Sequence, residues 1–445
     1  MRVVVVGGGL AGIAAALECA DAGESVTLLE SRPRLGGATF SVEKEGLWLD
    51  NGQHVFLRCC TAYRALIRRL GVEGDVVLQS RLEIPVLAPG GAVAWLRRNG
   101  LPPPLHLTGS ILRFRHLTLG DRVRLGPAVL ALRRLRLSDP ALDRQTFGAW
   151  LDERGQSQGA REALWDLITL PTVNLPSRDA SLALATKVFQ TGLLDESDAS
   201  DVGYARVPLQ RLHGDAAERA LAAAGVVVHM KARVSALTPA GTGIAVAWSG
   251  AALDADAVIL AVPHEDAGDL LPPDALADGL DITRLGTSPI VNLHVVYDRS
   301  VTMHAFAAGV RTPVQWVFDR TRSAGLVEGQ CLAVSLSGAD AYISRSLEEL
   351  RAEFVPALAE LFPAARDAEV LSFFVTREPR ATFRGVPGTA AHRPGAVTRT
   401  PGLYLAGAWT DTGWPATMEG AVRSGVAAAR AALGVAAETR QLEAA

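Results

Sequence analysis

Apolar positions in the first thirty residues form three blocks of different character. Val3-Val4-Val5-Val6 is an unbroken β-branched run, the pattern of a strand covered on both faces. An Ala-rich stretch from Leu10 to Ala22 follows, long enough for a buried helix and stopped by Gly23. Ser25-Val26-Thr27-Leu28-Leu29 is a second strand closed by Glu30. Strand, glycine turn, helix, strand is the opening of a parallel α/β sheet. Further on, 46–49 reads as a strand entering the polar turn Asp50-Asn51-Gly52-Gln53-His54. Thr61 is placed to cap a helix reaching Leu70. Residues 81–104 turn β-like and then Pro-rich, and 146–194 read as helices broken by the two prolines around Asn174. A helix over 208–225 precedes strands at 226–229 and 256–263. Strands at 289–297, 315–318, 331–336 and 370–375, with a helix over 347–361, describe an α+β half. Residues 377–384 are expected to lead back towards the first sheet. Leu403-Tyr404-Leu405-Ala406-Gly407 is a last strand, and a long Ala-rich helix opens near Thr417.

The predicted fold class is therefore α/β, a Rossmann-like dinucleotide-binding domain with an interleaved α+β substrate domain. The expected boundaries are 1–80, 207–275 and 396–445 for the first, and 81–206 and 276–395 for the second. The 441–445 tail is expected to fray.

Composition narrows the function classes. Of 445 residues, 49% are hydrophobic and 20% charged, enough for a large core, and the net charge of −3 gives no reason to expect nucleic acid. Four cysteines without a C-x-x-C fit a reducing compartment and suggest no metal site. The first strand begins at residue 2, which leaves no room for a signal peptide, and no apolar run reaches a span's length. A cytoplasmic protein that can lie peripherally at the inner face of the cell membrane is expected. The membrane element of that expectation comes from 97–137. There Arg97, Arg98, Arg113, Arg115, Arg122, Arg124, Arg133, Arg134 and Arg136 interleave with apolar residues, and Asp121 is the only acid. A basic amphipathic segment can lie on an anionic membrane surface, and an ordinary helical cap with a solvated arginine face is the plainer alternative.

The glycine turn carries the first chemistry. Gly7 permits a tight turn, Gly9 lets the backbone approach a pyrophosphate, and Gly12 lets the helix pack on the sheet. The N–H groups of Leu10 and Ala11, at the helix N-terminus, suit phosphate oxygens. Glu30 stands near the expected offset for a carboxylate on ribose hydroxyls. The turn alone leaves NAD and FAD open.

Glu30-Ser31-Arg32-Pro33-Arg34-Leu35-Gly36-Gly37 resembles the E-x-R-x-R-x-G-G element of flavoproteins of the amine oxidase and phytoene desaturase superfamily. Members often carry an Arg after the glycine pair, where this chain has Ala38. The string from Leu403 to Gly425, with Ala-Gly-x-Trp-Thr and Pro-Ala-Thr-x-Glu-Gly-Ala, resembles their second cofactor anchor. An acid usually follows the Ala-Gly pair, where Ala408 stands here, and Asp411 is a candidate substitute. Taken with Asp50–His54, Ser288–Asn292, Gln315–Arg320 and Arg380–Phe383, the chain resembles the squalene-associated FAD-dependent desaturase-like family of hydroxysqualene dehydroxylases.

The resemblance implies FAD, a C30 isoprenoid alcohol, and a place in bacterial squalene and hopanoid synthesis. It implies cofactor contacts from Ser31, Arg32, Arg34, Gly36, Gly37 and Ala38, from Gln53 and His54, from the backbone of Val228, and from Gly407, Asp411, Thr417, Met418 and Ala421. The implied reaction is loss of an allylic hydroxyl as water, followed by hydride delivery from reduced FAD. A leaving hydroxyl needs a positioned acid or donor. His54 is the candidate, with Asp50, Asn51 or Gln53 orienting it. The alternatives are an oxidative carotenoid-type desaturase on a long isoprenoid and a non-catalytic lipid-binding protein of the same fold.

Overall fold

The computed structural model describes residues 1–241 and 243–434; the 441–445 tail lies outside the described residues. Five parallel strands form the first sheet, in the spatial order Val227–Met230, Ser25–Glu30, Arg2–Val6, Ala257–Leu260 and Leu403–Leu405. Val3 to Val6 are buried at its centre, as a continuous β-branched run requires. Helix Leu10–Asp21 covers one face, and helix Met418–Ala432 packs beside it from the far end of the sequence. Their contact is backbone-close: a Cβ on Gly425 would meet the Ala11 carbonyl oxygen at 2.0 Å. The chain's two ends therefore build one cofactor-type layer.

A seven-stranded sheet forms the second layer. Its order is Val370–Phe383, Thr287–Tyr297, Gln330–Ser337, Trp316–Asp319, Phe306–Gly309, Glu83–Ala88 and Ala92–Arg97. Its pairings are antiparallel except for Phe306–Gly309 against Glu83–Ala88. A helical layer covers part of it around Phe147, Trp150, Trp165 and Phe189, all buried. A small sheet ties the two layers: Val202–Ala205 pairs antiparallel with both Val55–Leu57 and Val76–Leu78.

The structure sharpens or departs from the sequence expectations at three points. Pro171 sits inside helix Asp166–Val173, and the break falls at Asn174, whose left-handed backbone ends the helix. Residues 377–383, expected to leave the sheet, continue strand Val370–Phe383, paired with Thr287–Tyr297. Thr61 does not cap helix Thr61–Arg69. Glu419 does so from across the fold, accepting from the N–H groups of Ala62 at 3.1 Å and Tyr63 at 2.7 Å. His264 opens helix His264–Leu270 and is buried.

Candidate active site

The first strand delivers the glycine turn to the sheet's C-terminal edge, where α/β folds collect ligands. Gly7 has φ +106, and a Cβ there would meet the Ala261 carbonyl oxygen at 2.5 Å. Gly12 is tighter still, with Gly7's carbonyl oxygen 1.9 Å from its would-be Cβ. The Gly36-Gly37 turn lies directly against it: Gly36 N–H donates to the Gly8 carbonyl at 2.9 Å, and a Cβ on Gly37 would come within 2.7 Å of the Gly9 Cα. Glu30 closes the cradle. One carboxylate oxygen accepts from Gly8 N–H at 2.7 Å and the other from Arg32 N–H at 2.7 Å, with the Ser31 hydroxyl at 3.3 Å. A carboxylate has about four acceptor sites, so capacity for a ribose hydroxyl remains. Arg34 braces the turn, donating to the Gly37 carbonyl at 3.1 Å with its guanidinium 3.5 Å from the Phe40 ring centroid. Val228 lies on the sheet's edge strand opposite Leu28. This cradle of backbone N–H groups and missing side chains fits the dinucleotide end of FAD.

The Asp50–His54 turn stands beside the cradle, and its polar side chains divide sharply. Asp50 is committed to the frame. Its carboxylate accepts from Ser41 Oγ at 2.6 Å and Leu209 N–H at 3.0 Å, and pairs with Arg320 Nη2 at 2.6 Å, both side chains being buried. Arg320 also donates to the Ala205 carbonyl at 2.8 Å. Asn51 is equally spoken for. Its Nδ2 donates to the Ala38 carbonyl at 2.8 Å and to Glu378 at 3.0 Å, and its Oδ1 accepts from Phe40 N–H at 3.1 Å. Asn292 Nδ2 and Thr376 Oγ1 both donate to the Asn51 carbonyl. Asp50 and Asn51, expected to orient His54, hold the turn that carries it, and neither side chain hydrogen-bonds its ring. The groups left over are His54, whose ring has no hydrogen-bond partner among the described residues, and Gln53, whose buried Nε2 is also unpartnered. A Cβ on Gly52 would sit 3.0 Å from His54 Nε2, so this glycine gives the ring its room.

The electrostatics keep His54 neutral. Burial pushes its pKa down to about 4; Asp50 opposes that shift and Arg320 adds to it. Two other histidines share this environment. Burial lowers His294 to about 4, and its Nε2 meets the Asp50 carbonyl at 3.1 Å. His213, lowered to about 3 by burial and by nearby His54, meets the Tyr63 hydroxyl at 2.8 Å. His213 also packs against the cradle, its Cβ 3.7 Å from a would-be Cβ on Gly36.

The C-terminal anchor is built around an arginine that the motif reading passed over. Arg393 is buried and donates to the carbonyls of Trp409, Thr410 and Trp414. Burial lowers it to about 10. It thus shapes the loop after Gly407, whose φ is +140 and whose N–H donates to Ser424 Oγ at 2.7 Å. Thr417 caps helix Met418–Ala432 through Gly420 N–H at 3.1 Å, leaving the first-turn N–H groups of Met418 and Glu419 for a ligand. Ala421 stands in the same turn. Asp411, the candidate cofactor contact, is exposed and accepts from Gly413 N–H at 3.2 Å. Arg320 lay in a quoted motif, but its partner was not visible. Nothing in the local sequence around His213, Tyr63 or Arg393 signalled a role. Among the described residues, no group of three or more His, Cys, Asp or Glu is placed to hold a metal.

Residues 10–433 match the family described as flavin containing amine oxidoreductase. The chain is 32% identical over 439 residues to hydroxysqualene dehydroxylase of Rhodopseudomonas palustris, covering 96% of this chain and 97% of that one. It is 26% identical over 484 residues to a probable zeta-carotene desaturase of Synechococcus elongatus, covering 97% and 98%. Putrescine oxidase bound to putrescine superposes with a TM-score of 0.72 at 22% identity, over 98% of this chain and 99% of that one, and so shares the fold.

Proposed function

The chain belongs to the flavin-containing amine oxidoreductase family and is an FAD-dependent oxidoreductase; from that premise we propose that it removes the hydroxyl of hydroxysqualene reductively, giving squalene. The observation that carries the choice of substrate is the end-to-end similarity to hydroxysqualene dehydroxylase, at 32% identity. Bound in its reduced, two-proton form, FAD would supply the hydride that replaces the departing oxygen and, on returning to its oxidised form, the proton that lets that oxygen leave as water.

The chain's own residues supply the rest. The C–O bond of an allylic alcohol breaks more readily when a donor holds the oxygen as it leaves as water. His54 is neutral at neutral pH, so it offers an imidazole N–H as a hydrogen-bond donor. Its burial disfavours an imidazolium, so a full positive charge does not build up next to a carbon that is itself becoming cationic. The unpartnered Gln53 Nε2 is a second donor at the same turn. An apolar wall starts one residue beyond His54, where Val55 pairs with Tyr204 and Tyr204 packs on Phe306 at 5.7 Å between ring centroids. Such a wall keeps water from a cationic centre. A substrate this apolar is stored in bilayers, and contact of 97–137 with a membrane surface belongs to the same reading.

The similarity to a zeta-carotene desaturase supports a second reading, oxidative desaturation of a long isoprenoid. Product analysis separates the two. Purified flavoprotein is incubated anaerobically with hydroxysqualene after reduction, and separately in oxidised form with phytoene. Squalene only in the first supports dehydroxylation; a desaturated carotenoid only in the second supports the alternative.

A further inference from the structure

Helix Leu119–Arg133 has two apolar faces, and the fold uses only one. Successive residues turn by about 100° around an α-helix. Leu125, Ala128 and Leu132 face the core on one side. Leu119, Val123 and Leu130 line the opposite side and are 75%, 70% and 45% exposed. Lone exposed apolar residues are ordinary, but a second stripe on one helix is not.

The neighbouring chain extends the stripe into a patch. Arg122 donates to the Leu112 carbonyl at 2.8 Å near the start of the helix, and Arg133 to the Pro103 carbonyl at 3.2 Å near its end, so 103–112 runs alongside. That segment and its flanks expose Leu101, Leu105 and Leu112, and Leu137 follows the helix. Seven of the seventeen exposed large hydrophobics among the described residues fall in these thirty-seven positions, 101–137.

Charge selects the occupant. Of the nine arginines in the stretch, Arg98 is paired with Asp201 and Arg122 is tied to backbone carbonyls. Arg113, Arg115, Arg124, Arg134 and Arg136 are exposed and, among the described residues, pair with no carboxylate. The single acid, Asp121, is buried and accepts from Thr118 and Ser157. Arg97 pairs with the exposed Glu83 at 3.4 Å, which leaves five exposed arginines unpaired beside the apolar stripe, a combination complementary to acyl chains beneath anionic headgroups.

The patch is also continuous with the site. Leu107, between Leu105 and Leu112, packs on a cluster containing Phe306, Trp316, Phe318 and Tyr204, which reaches Leu57, three residues from His54. We propose that the face made by Leu119, Val123, Leu130 and the 101–112 segment seats the protein in an anionic lipid bilayer, on the side from which an apolar substrate reaches His54. The seating stands on the surface alone; the direction of substrate entry rests on the isoprenoid reading above.

Flotation of the full-length holoprotein with vesicles tests the seating. Vesicles of phosphatidylcholine alone are compared with vesicles containing phosphatidylglycerol. Binding to the anionic vesicles is expected to be stronger by about tenfold or more and to weaken with salt. Leu119→Glu combined with Val123→Glu should abolish flotation while flavin content and melting temperature stay unchanged. Arg113→Gln, Arg134→Gln and Arg136→Gln together should remove only the preference for anionic lipid. Wild-type protein that stays unbound with both vesicles overturns the inference, as does a concentration-dependent dimer dissolved by the glutamate variant. Turnover of detergent-dispersed hydroxysqualene by protein that does not float leaves the enzymatic reading standing and sinks this one. Flotation without turnover does the reverse.

Discussion

The cofactor cradle and the Asp50–His54 turn lie side by side, yet they are specified in opposite ways. The cradle is made of what is missing. Gly7, Gly9, Gly12, Gly36 and Gly37 let backbone meet backbone, and the ligand-facing groups are main-chain N–H donors. The turn is made of what is present, four polar side chains within five residues, two of which are consumed by the frame. Polar density in a sequence therefore locates a site but does not say which member is free to act. Hydrogen-bond accounting does.

The sharpest way to break this contrast is to free a frame group. Arg320→Met leaves Asp50 buried without its cation, and a loss of about 3–5 kcal/mol in unfolding free energy is expected. Adding Asp50→Asn should restore part of it in a thermal melt. A melting temperature unmoved by the single change would show that Asp50 is not held as described.

Next is the cradle. Gly37→Val places a side chain where Gly9 already stands, at a φ of +57 that a β-branched residue resists. Flavin affinity should fall by about a hundredfold, roughly 3 kcal/mol, read as flavin absorbance per chain after desalting. Full retention would contradict the placement of the cofactor against this turn.

The free side chain comes third. His54→Gln should keep the flavin spectrum and lower kcat by about 10²-fold, the weight of one hydrogen-bond donor aimed at an oxygen that gains charge in the transition state. Because burial holds His54 near 4, the wild-type kcat should show no inflection around pH 6.5. An inflection there that vanishes in the variant would mean that the imidazolium is the working form.

A pH-dependent effect is shared by His54, His213 and His294, whose folded pKa values of about 4, 3 and 4 lie below the ordinary 6.5. The unfolded chain therefore binds protons first as pH falls. Stability from these groups is full above pH 6.5 and declines towards 4, by up to about 1.4 kcal/mol per group per pH unit. His294→Gln should flatten the decline of melting temperature over that window. An equally steep decline would remove His294 from the set.

The sequence disclosed the two regions unequally for a physical reason. The glycine turn, Glu30 and the second strand lie within one local unit, so spacing alone placed them. The Asp50 partner Arg320 is 270 positions away, and the Asn51 carbonyl takes its donors from Asn292 and Thr376. No local pattern encodes such contacts. The strings Ser288–Asn292 and Gln315–Arg320 nevertheless drew attention as family motifs, and both contribute to the frame of this turn. Arg393, which organises the loop after Gly407, sits outside the motif. The helix break expected between the two prolines falls at Asn174, whose left-handed backbone supplies it.

The most direct measurement is an anaerobic single turnover, in which flavoprotein reduced stoichiometrically is mixed with hydroxysqualene and both flavin absorbance and product are followed. Reoxidation of the flavin matched one to one by squalene is the expected result. Flavin that stays reduced, or reoxidises without squalene, would contradict reductive dehydroxylation at this site.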